Sequence, residues 1–301
     1  MVLELPHLLG VTLALLAATS FAVQFLFIRL GTIRGRIIQG VFITLLVNMA
    51  IVIPAVLWRY GIPSLTLEAI IWFALAGLFG SLIARTCTFK SVQLIGASRT
   101  SPIIAANVFF ATILAIVLFG ESVTLVHLFG IVIIVIGVAI ISWEMANDGE
   151  VDQSIREIGL SLLLPLGAAF FIGLEPILVS AGLNTGAGVL PGVAIKVTAA
   201  CIGILAYSLV TGHTQVLAFE RTSQTGWFLA TGVTSAIGII AYFAALEVSP
   251  VVIVVPLIQT SPLMVFVLSW VFIPHHLERL SWRLFAAALV VVAGAAIVSV
   301  Q

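Results

Sequence analysis

Apolar runs of membrane-spanning length follow one another along almost the whole sequence, and short stretches with charge, glycine or proline separate them. A bilayer core of roughly 30 Å is crossed by an α-helix of about 20 residues. Hydrophobic residues make up 62% of the chain and charged residues 8%, against about 45–50% and about 25% in soluble domains. A soluble fold cannot bury so much apolar surface, so the sequence predicts an integral multi-pass membrane protein.

Dividing the chain where these runs are interrupted predicts ten transmembrane helices and therefore an all-α fold. The predicted spans are 7–30, 37–60, 66–90, 96–119, 123–143, 155–181, 187–211, 224–247, 249–273 and 281–300. Most connections have only a few residues, which leaves no room for a soluble domain. The exception runs from Glu144 to Glu157 and is acidic. We therefore divide the chain there into two halves, 1–147 and 148–301.

The two halves share residues at a nearly constant spacing. The matching positions are Gly40-Val41 with Gly192-Val193, Trp72-Phe73 with Trp227-Phe228, Gly77 with Gly232, Pro102 with Pro256, and Gly137 with Gly294. These pairs lie 152 to 157 residues apart, which indicates an internal repeat of five spans. Because five is odd, the second half must enter the membrane in the opposite sense. Such inverted repeats place a binding site near the midplane, between the halves.

The segment Gly96–Pro102 (GASRTSP) and the turn Leu118–Glu121 (LFGE) resemble the EamA-type repeat of the drug/metabolite transporter superfamily. In those proteins a similar Leu-Gly-Glu turn ends the fourth helix. The second half departs from the pattern, with a longer turn at Pro274–Glu278 (PHHLE). The resemblance implies a ten-helix, alternating-access carrier with a central cavity lined by helices 1, 3, 4, 6, 8 and 9. Such proteins carry amino acids, sugars, nucleotide sugars, phosphorylated metabolites or drugs, so the cargo remains open.

Two arginines lie inside predicted spans of the first half. A charge at the bilayer centre costs from about 2.5 to more than about 10 kcal/mol, so such residues usually line a cavity or a pathway. Counted from the turn near Gln93, Arg85 lies about 12 Å deep and Arg99 about 9 Å deep. Arg85 is either a functional cation or a structural bridge to a carbonyl or a Glu. Arg99 either faces the cavity or extends to the lipid headgroups.

The second half contains a carboxylate and an ammonium group within reach of each other. Counted from the turn near Leu183, Glu175 lies about 12 Å deep and Lys196 about 19 Å deep, a difference that a Lys side chain can span. We expect the two to pair or to share a cavity. Pro176 disfavours helical geometry at Glu175 and predicts a kink there. The carboxylate is therefore either a plain salt-bridge partner or a site of proton or ion coupling.

Uncharged polar residues complete the candidate binding site. Gln259 lies in span 9, Asn107 in span 4 and Gln24 in span 1, and each is able to hydrogen-bond either cargo or a neighbouring helix. Tyr242 is an aromatic candidate for contact with cargo at mid-depth. The predicted substrate-binding residues are Arg85, Lys196, Glu175, Gln259, Asn107, Gln24, Arg99 and Tyr242. The cations outnumber the carboxylate, which predicts a cargo with a carboxylate or phosphate, either an anion or a zwitterion.

Motifs of other function classes are absent from the sequence. No Gly-x-Ser-x-Gly, His-Glu-x-x-His or phosphate-binding loop occurs, and the two cysteines lie in apolar stretches, so we expect no enzyme, cofactor or metal site. Without an ATP motif, uphill transport needs a proton gradient, another ion gradient or exchange. No basic run exists to bind nucleic acid. We expect a secondary carrier in the cell membrane, with a small molecule and the lipid bilayer as partners. A lipid flippase or a multidrug exporter is the alternative.

The orientation in the membrane is contested at the level of sequence. Nine of the twelve basic residues flank odd-numbered connections, and Arg59 alone flanks an even-numbered one. The positive-inside rule therefore predicts cytoplasmic odd connections and both termini outside. The family resemblance implies the opposite, with both termini in the cytoplasm.

Overall fold

The structure is a computed structural model, and it describes residues 5–61, 65–119, 125–147, 155–211, 222–248, 254, 257–273 and 281–299. Within these residues all extended regular structure is helical. The helices are α1 (Leu5–Thr32), α2 (Ile37–Tyr60), α3 (Leu67–Ile95), α4 (Ala97–Ala105 and Asn107–Phe119), α5 (Leu125–Asn147), α6 (Ile155–Leu183), α7 (Val189–Val210), α8 (Ser223–Val248), α9 (Ser261–Phe272) and α10 (Trp282–Ser299). Helices α1, α2, α3, α6, α7 and α8 each contain a stretch long and apolar enough to cross a membrane.

Each predicted span corresponds to one of these helices, which confirms the ten-helix, all-α fold. The boundary between the predicted halves lies beside residues 148–154, outside the described residues, and remains a prediction. Pro256 and most of the two turns compared with the family pattern also lie outside the described residues.

The third helix is not a uniform α-helix. The Thr66 hydroxyl accepts a hydrogen bond from the Ala69 amide and caps its start. Its central residues, Gly77–Ile83, form a π-helix, a wider turn that is frequent at functional sites. The helix ends at Gly96, whose φ of +88° suits glycine. Gly96 alone joins α3 to α4, so the two helices meet without a loop.

Turns occur at corresponding places in the two halves, within α4 and directly before α9. Ala106 separates the two segments of α4, and a turn at Gln259-Thr260 precedes α9. The spacing that aligns Pro102 with Pro256 also aligns Ala105 with Gln259. These two residues meet, because Gln259 Nε2 donates to the Ala105 carbonyl at 3.3 Å. The repeat therefore brings the interruption of α4 and the turn before α9 together.

Helix packing has the symmetry expected of an inverted repeat. Helix α1 packs against α8 and α9, as α6 packs against α3 and α4. Helix α2 contacts α8, as α7 contacts α3, while the pairs α2–α7 and α5–α10 are each formed by equivalent helices. Exchanging every helix with the one five places later leaves this pattern unchanged. Since each half has five helices, the halves are related by a pseudo-two-fold axis in the membrane plane.

The repeated glycines and phenylalanines form the contacts between the halves. The buried ring of Phe73 lies against Gly182 and Gly192, and a Cβ on either glycine would clash with it. The equivalent ring of Phe228 lies against Gly40 in the same way. Each half thus inserts one aromatic ring into a glycine hollow of the other half. This reciprocal packing explains why these positions recur in the sequence.

The α5–α10 contact explains the last repeated pair. A Cβ on Gly137 would lie 2.5 Å from Val291 Cγ2, and one on Gly294 would lie 2.8 Å from the Ile134 amide nitrogen. Both glycines therefore let the two backbones approach closely, as small residues do at membrane helix interfaces.

Candidate functional site

An ion pair links α6 and α7 inside the second half. Lys196 Nζ donates to Glu175 Oε1, and the two side chains are 9% and 23% exposed. This confirms the predicted contact between them. Helix α6 continues through Pro176, so the expected departure of Glu175 from helical geometry was wrong. Packing of α6 against α3 and α4 holds the helix despite the hydrogen bond that proline removes.

The π-helical segment of α3 shapes the space around this pair. Gly80 faces the Glu175 carboxylate and Gly77 faces the Lys196 carbonyl, and a Cβ at either glycine would overlap these atoms. The absence of side chains at both positions therefore lets α3 approach α6 and α7 closely. The ion pair lies directly beside the segment of α3 that precedes Arg85.

Neutral groups from two helices hold the guanidinium of Arg85. Its Nη2 donates to Ser235 Oγ on α8 at 3.3 Å. The Asn48 amide on α2 is best oriented with its oxygen accepting from Arg85 Nη1 at 3.2 Å and its nitrogen donating to the Gly232 carbonyl at 2.8 Å. Asn48 is fully buried and Ser235 nearly so. Arg85 is thus fixed by one residue of its own half and one of the other half.

Arg85 forms no ion pair with a carboxylate among the described residues. The Glu175 carboxylate is paired with Lys196, although its charge also acts on Arg85 and Tyr242. Arg85, Lys196 and Glu175 together carry one net positive charge. The two hydrogen bonds described above use only part of the five N–H donors of a guanidinium. The site is therefore cationic and has donor groups left for a ligand.

Sequence reasoning missed Asn48 and Ser235. Asn48 was detectable in principle, because it is an amide at the centre of an otherwise apolar span. Ser235 gives no such signal, since serine is common at membrane helix interfaces. It lies seven residues before Tyr242 on α8, which places both on the same face of that helix.

Two predicted residues make bonds within the scaffold. Gln259 is buried and donates to the Ala105 carbonyl, the interhelical bond that was the alternative to cargo binding. Asn107 Nδ2 donates to the Ile104 carbonyl at 2.9 Å, within α4 itself and beside its interruption. Gln24 is half-buried on α1 and makes no hydrogen bond with a described residue. Of the three, Gln24 is the one whose amide is available to a ligand.

Basic residues gather where α1 and α3 end and α4 begins. Arg29 Nη1 donates to the carbonyls of Val92 and Gln93 at 3.0 Å each, which satisfies the end of α3. Lys90 Nζ donates to Gln93 Oε1 at 3.2 Å, and Arg99 is half-buried in the first turn of α4. These three cations lie in helices and not in connections. They therefore give less support to cytoplasmic odd-numbered connections than the sequence count assumed. Arg221 and Arg279 lie outside the described residues, and the orientation remains a prediction.

Residues 8–143 and 159–300 each match the EamA-like transporter family. The chain belongs to the EamA-like transporter family. The two matches cover the two predicted halves, and the family is part of the drug/metabolite transporter superfamily. The chain is therefore an integral, multi-pass membrane transporter.

No curated protein sequence matches this EamA-like protein significantly. A solved structure described as "Crystal structure of protein" is similar to it, with a TM-score of 0.62 at 16% sequence identity. The similarity covers 98% of this chain and 97% of that one. At this identity it shows the shared fold alone.

The charged site of this EamA-like protein involves more helices than the family resemblance implied. Arg85 on α3, Glu175 on α6 and Tyr242 on α8 belong to helices expected to line the cavity. Asn48 on α2 and Lys196 on α7 do not, yet they hold the charged side chains of those helices. Helices α2 and α7 thus position the groups that the cavity-lining helices present.

Proposed function

We propose that this chain is a secondary-active carrier of a small solute with a carboxylate or phosphate group, and that it works by alternating access. The observation that carries the proposal is the Arg85 guanidinium. It lies inside the membrane, is held only by the neutral groups of Asn48 and Ser235, and has no carboxylate partner among the described residues. A charge at this depth is costly. An anionic ligand would neutralise it, and a carboxylate or phosphate matches the guanidinium with paired hydrogen bonds.

The position of the charges relative to the halves supports alternating access. Arg85 and Asn48 belong to the first half, whereas Glu175 and Lys196 belong to the second. Relative movement of the halves leaves the Arg85–Asn48 and Glu175–Lys196 contacts intact and changes the contact between Arg85 and Ser235. A solute whose anionic group binds Arg85 and whose ammonium or hydroxyl group binds Glu175 would bridge the halves. Its binding would therefore favour closure of the halves around it.

Coupling and location complete the proposal. The sequence has no ATP-binding loop, so transport is driven by a proton gradient, another ion gradient or exchange. Glu175 is the candidate for proton coupling, because it is a carboxylate within the membrane that faces both Lys196 and the π-helical segment of α3. We place the protein in the cell membrane, with the solute and the lipid bilayer as its partners and no role for nucleic acid.

The proposal is tested in two steps with purified protein. Thermal stability is first screened against monocarboxylates, amino acids, phosphorylated metabolites and cationic drugs, since a ligand of the folded state raises stability by mass action. Uptake of the stabilising solute into proteoliposomes is then compared between wild type, Arg85→Ala and Arg85→Lys. Arg283→Ala is the matched control, because that arginine is 68% exposed.

We expect an anionic or zwitterionic ligand, loss of uptake in Arg85→Ala, partial uptake in Arg85→Lys and normal uptake in the control. Full uptake by Arg85→Ala, or stabilisation by cationic drugs alone, would overturn the proposal and favour a multidrug exporter. Scrambling of labelled lipid without solute uptake would favour a flippase.

A further inference from the structure

An open apolar groove lies between α2, α3 and α7, and none of its lining residues belongs to the charged site. Its volume is about 400 Å³, and its walls include Ile53 and Leu57 of α2, Ile70 of α3, and Ile195 and Ala199 of α7. Leu57 and Ile70 are exposed at its edges. The groove therefore opens sideways from the helices rather than toward the site between the halves.

The walls select an apolar occupant. The hydroxyl of Thr198, which also lines the groove, donates to the Ala194 carbonyl of its own helix at 2.7 Å and is thus already satisfied. Buried water needs several polar partners, and Thr198 is the one polar side chain among these lining residues. In a bilayer the apolar molecule at this position is a lipid, so a lipid acyl chain is the expected occupant.

Aromatic and basic residues at the end of α2 indicate where the headgroup of such a lipid would lie. Ile53, Leu57 and Tyr60 follow one another at helical spacing, so the groove-lining face of α2 leads to Tyr60. Tyr60 and the neighbouring Trp58 are exposed, as aromatic residues are at the level of the lipid headgroups. The Arg59 guanidinium lies 5.6 Å from the centre of the Tyr60 ring and makes no ion pair with a described residue. A cation therefore stands at headgroup level beside the groove.

We propose that the groove binds an anionic phospholipid, with one acyl chain between α2, α3 and α7 and the phosphate at Arg59. Bound lipid would also support the transport machinery, because α7 forms one wall of the groove and carries Lys196 toward Glu175. The site is independent of the proposed cargo and does not use Arg85.

The test measures binding of phosphatidylglycerol and of phosphatidylcholine to the delipidated protein by native mass spectrometry. Ala199→Phe fills the groove, and Arg59→Gln removes the headgroup contact. Ile202→Trp narrows the groove from its exposed edge and is the second groove-filling variant, used if Ala199→Phe fails to fold. Val233→Phe, on the exposed surface of α8, is the matched control for added aromatic bulk.

We expect wild type to retain phosphatidylglycerol in preference to phosphatidylcholine. The groove-filling variants should bind both lipids at least about tenfold more weakly. Arg59→Gln should bind phosphatidylglycerol more weakly and lose its preference over phosphatidylcholine, because both headgroups carry a phosphate but that of phosphatidylglycerol has no compensating cation of its own. Unchanged binding in a folded groove-filling variant would overturn the site, and unchanged binding of phosphatidylglycerol to Arg59→Gln would overturn the phosphate contact. A dimer in wild type that the groove-filling variants abolish would instead identify a second copy of the chain as the occupant.

Discussion

Removal of either member of the Glu175–Lys196 pair should destabilise the fold more than removal of both. In Glu175→Gln the Lys196 ammonium, only 9% exposed, is left without a countercharge, and breaking a buried pair in this way costs about 3–5 kcal/mol. Lys196→Met should cost less than Glu175→Gln. Its remaining carboxylate is more exposed, at 23%, and still interacts with the charge of Arg85. The double variant removes both charges of the pair and should recover most of the loss.

The measurement is the free energy of unfolding in detergent for wild type, both single variants and the double variant. The Glu144–Arg283 pair supplies a matched control cycle. Its closest N–O distance is 3.9 Å and Arg283 is 68% exposed, so its coupling should lie within about 1 kcal/mol of zero. If the free energy of unfolding of the Glu175–Lys196 double variant were no higher than that of the less stable single variant, the two charges would not act as a pair.

Three further predictions follow from single contacts. Asn48→Leu should destabilise the protein by about 1–3 kcal/mol, because it removes a buried acceptor from Arg85, whereas Ser235→Ala should mainly alter uptake kinetics. An equal loss of stability in both variants would contradict this distinction. Gly80→Ala should lower both thermal stability and uptake through its overlap with Glu175, while Gly167→Ala, which meets nothing within 4 Å, should be neutral or stabilising. Normal uptake in Gly80→Ala would refute the close approach of α3. If the positive-inside rule holds, a membrane-impermeant thiol reagent applied to intact cells should label Leu67→Cys but not Ile33→Cys, two exposed positions that flank the second span on opposite sides of the membrane. The reverse pattern would place both termini in the cytoplasm.

The helices and the repeat were predictable because the bilayer imposes a simple rule. A run of apolar residues long enough to cross it forms a helix, since a buried backbone must satisfy its own hydrogen bonds. The depth of a charge follows from helical rise alone, which is why the contact between Glu175 and Lys196 was correctly expected. The spacing between Pro102 and Pro256 also makes Ala105 and Gln259 equivalent positions of the repeat. That these two residues form a hydrogen bond is shown only by the structure.

Other parts of the site depend on packing and were not predictable. The π-helical segment Gly77–Ile83 has no distinctive composition, because it consists of the small and apolar residues found throughout the spans. The serine at position 235 is recognisable as a partner of Arg85 only when α3 and α8 are placed together. The proline after Glu175 predicted an irregular backbone, but local preference was overridden by the helices packed around α6.

The reciprocal insertion of Phe73 and Phe228 has a consequence for how the protein is made. During synthesis Phe73 emerges before Gly182 and Gly192, so its ring has no hollow to enter until α6 and α7 reach the membrane. Phe228 emerges after Gly40 and meets a hollow that has already been inserted. The first half is therefore inserted into the bilayer before the glycines that pack against Phe73 exist. The second half finds Gly40 already in the membrane when Phe228 is inserted. A chain released after residue 147 should remain a substrate for membrane quality control until a separately expressed second half supplies the missing hollow.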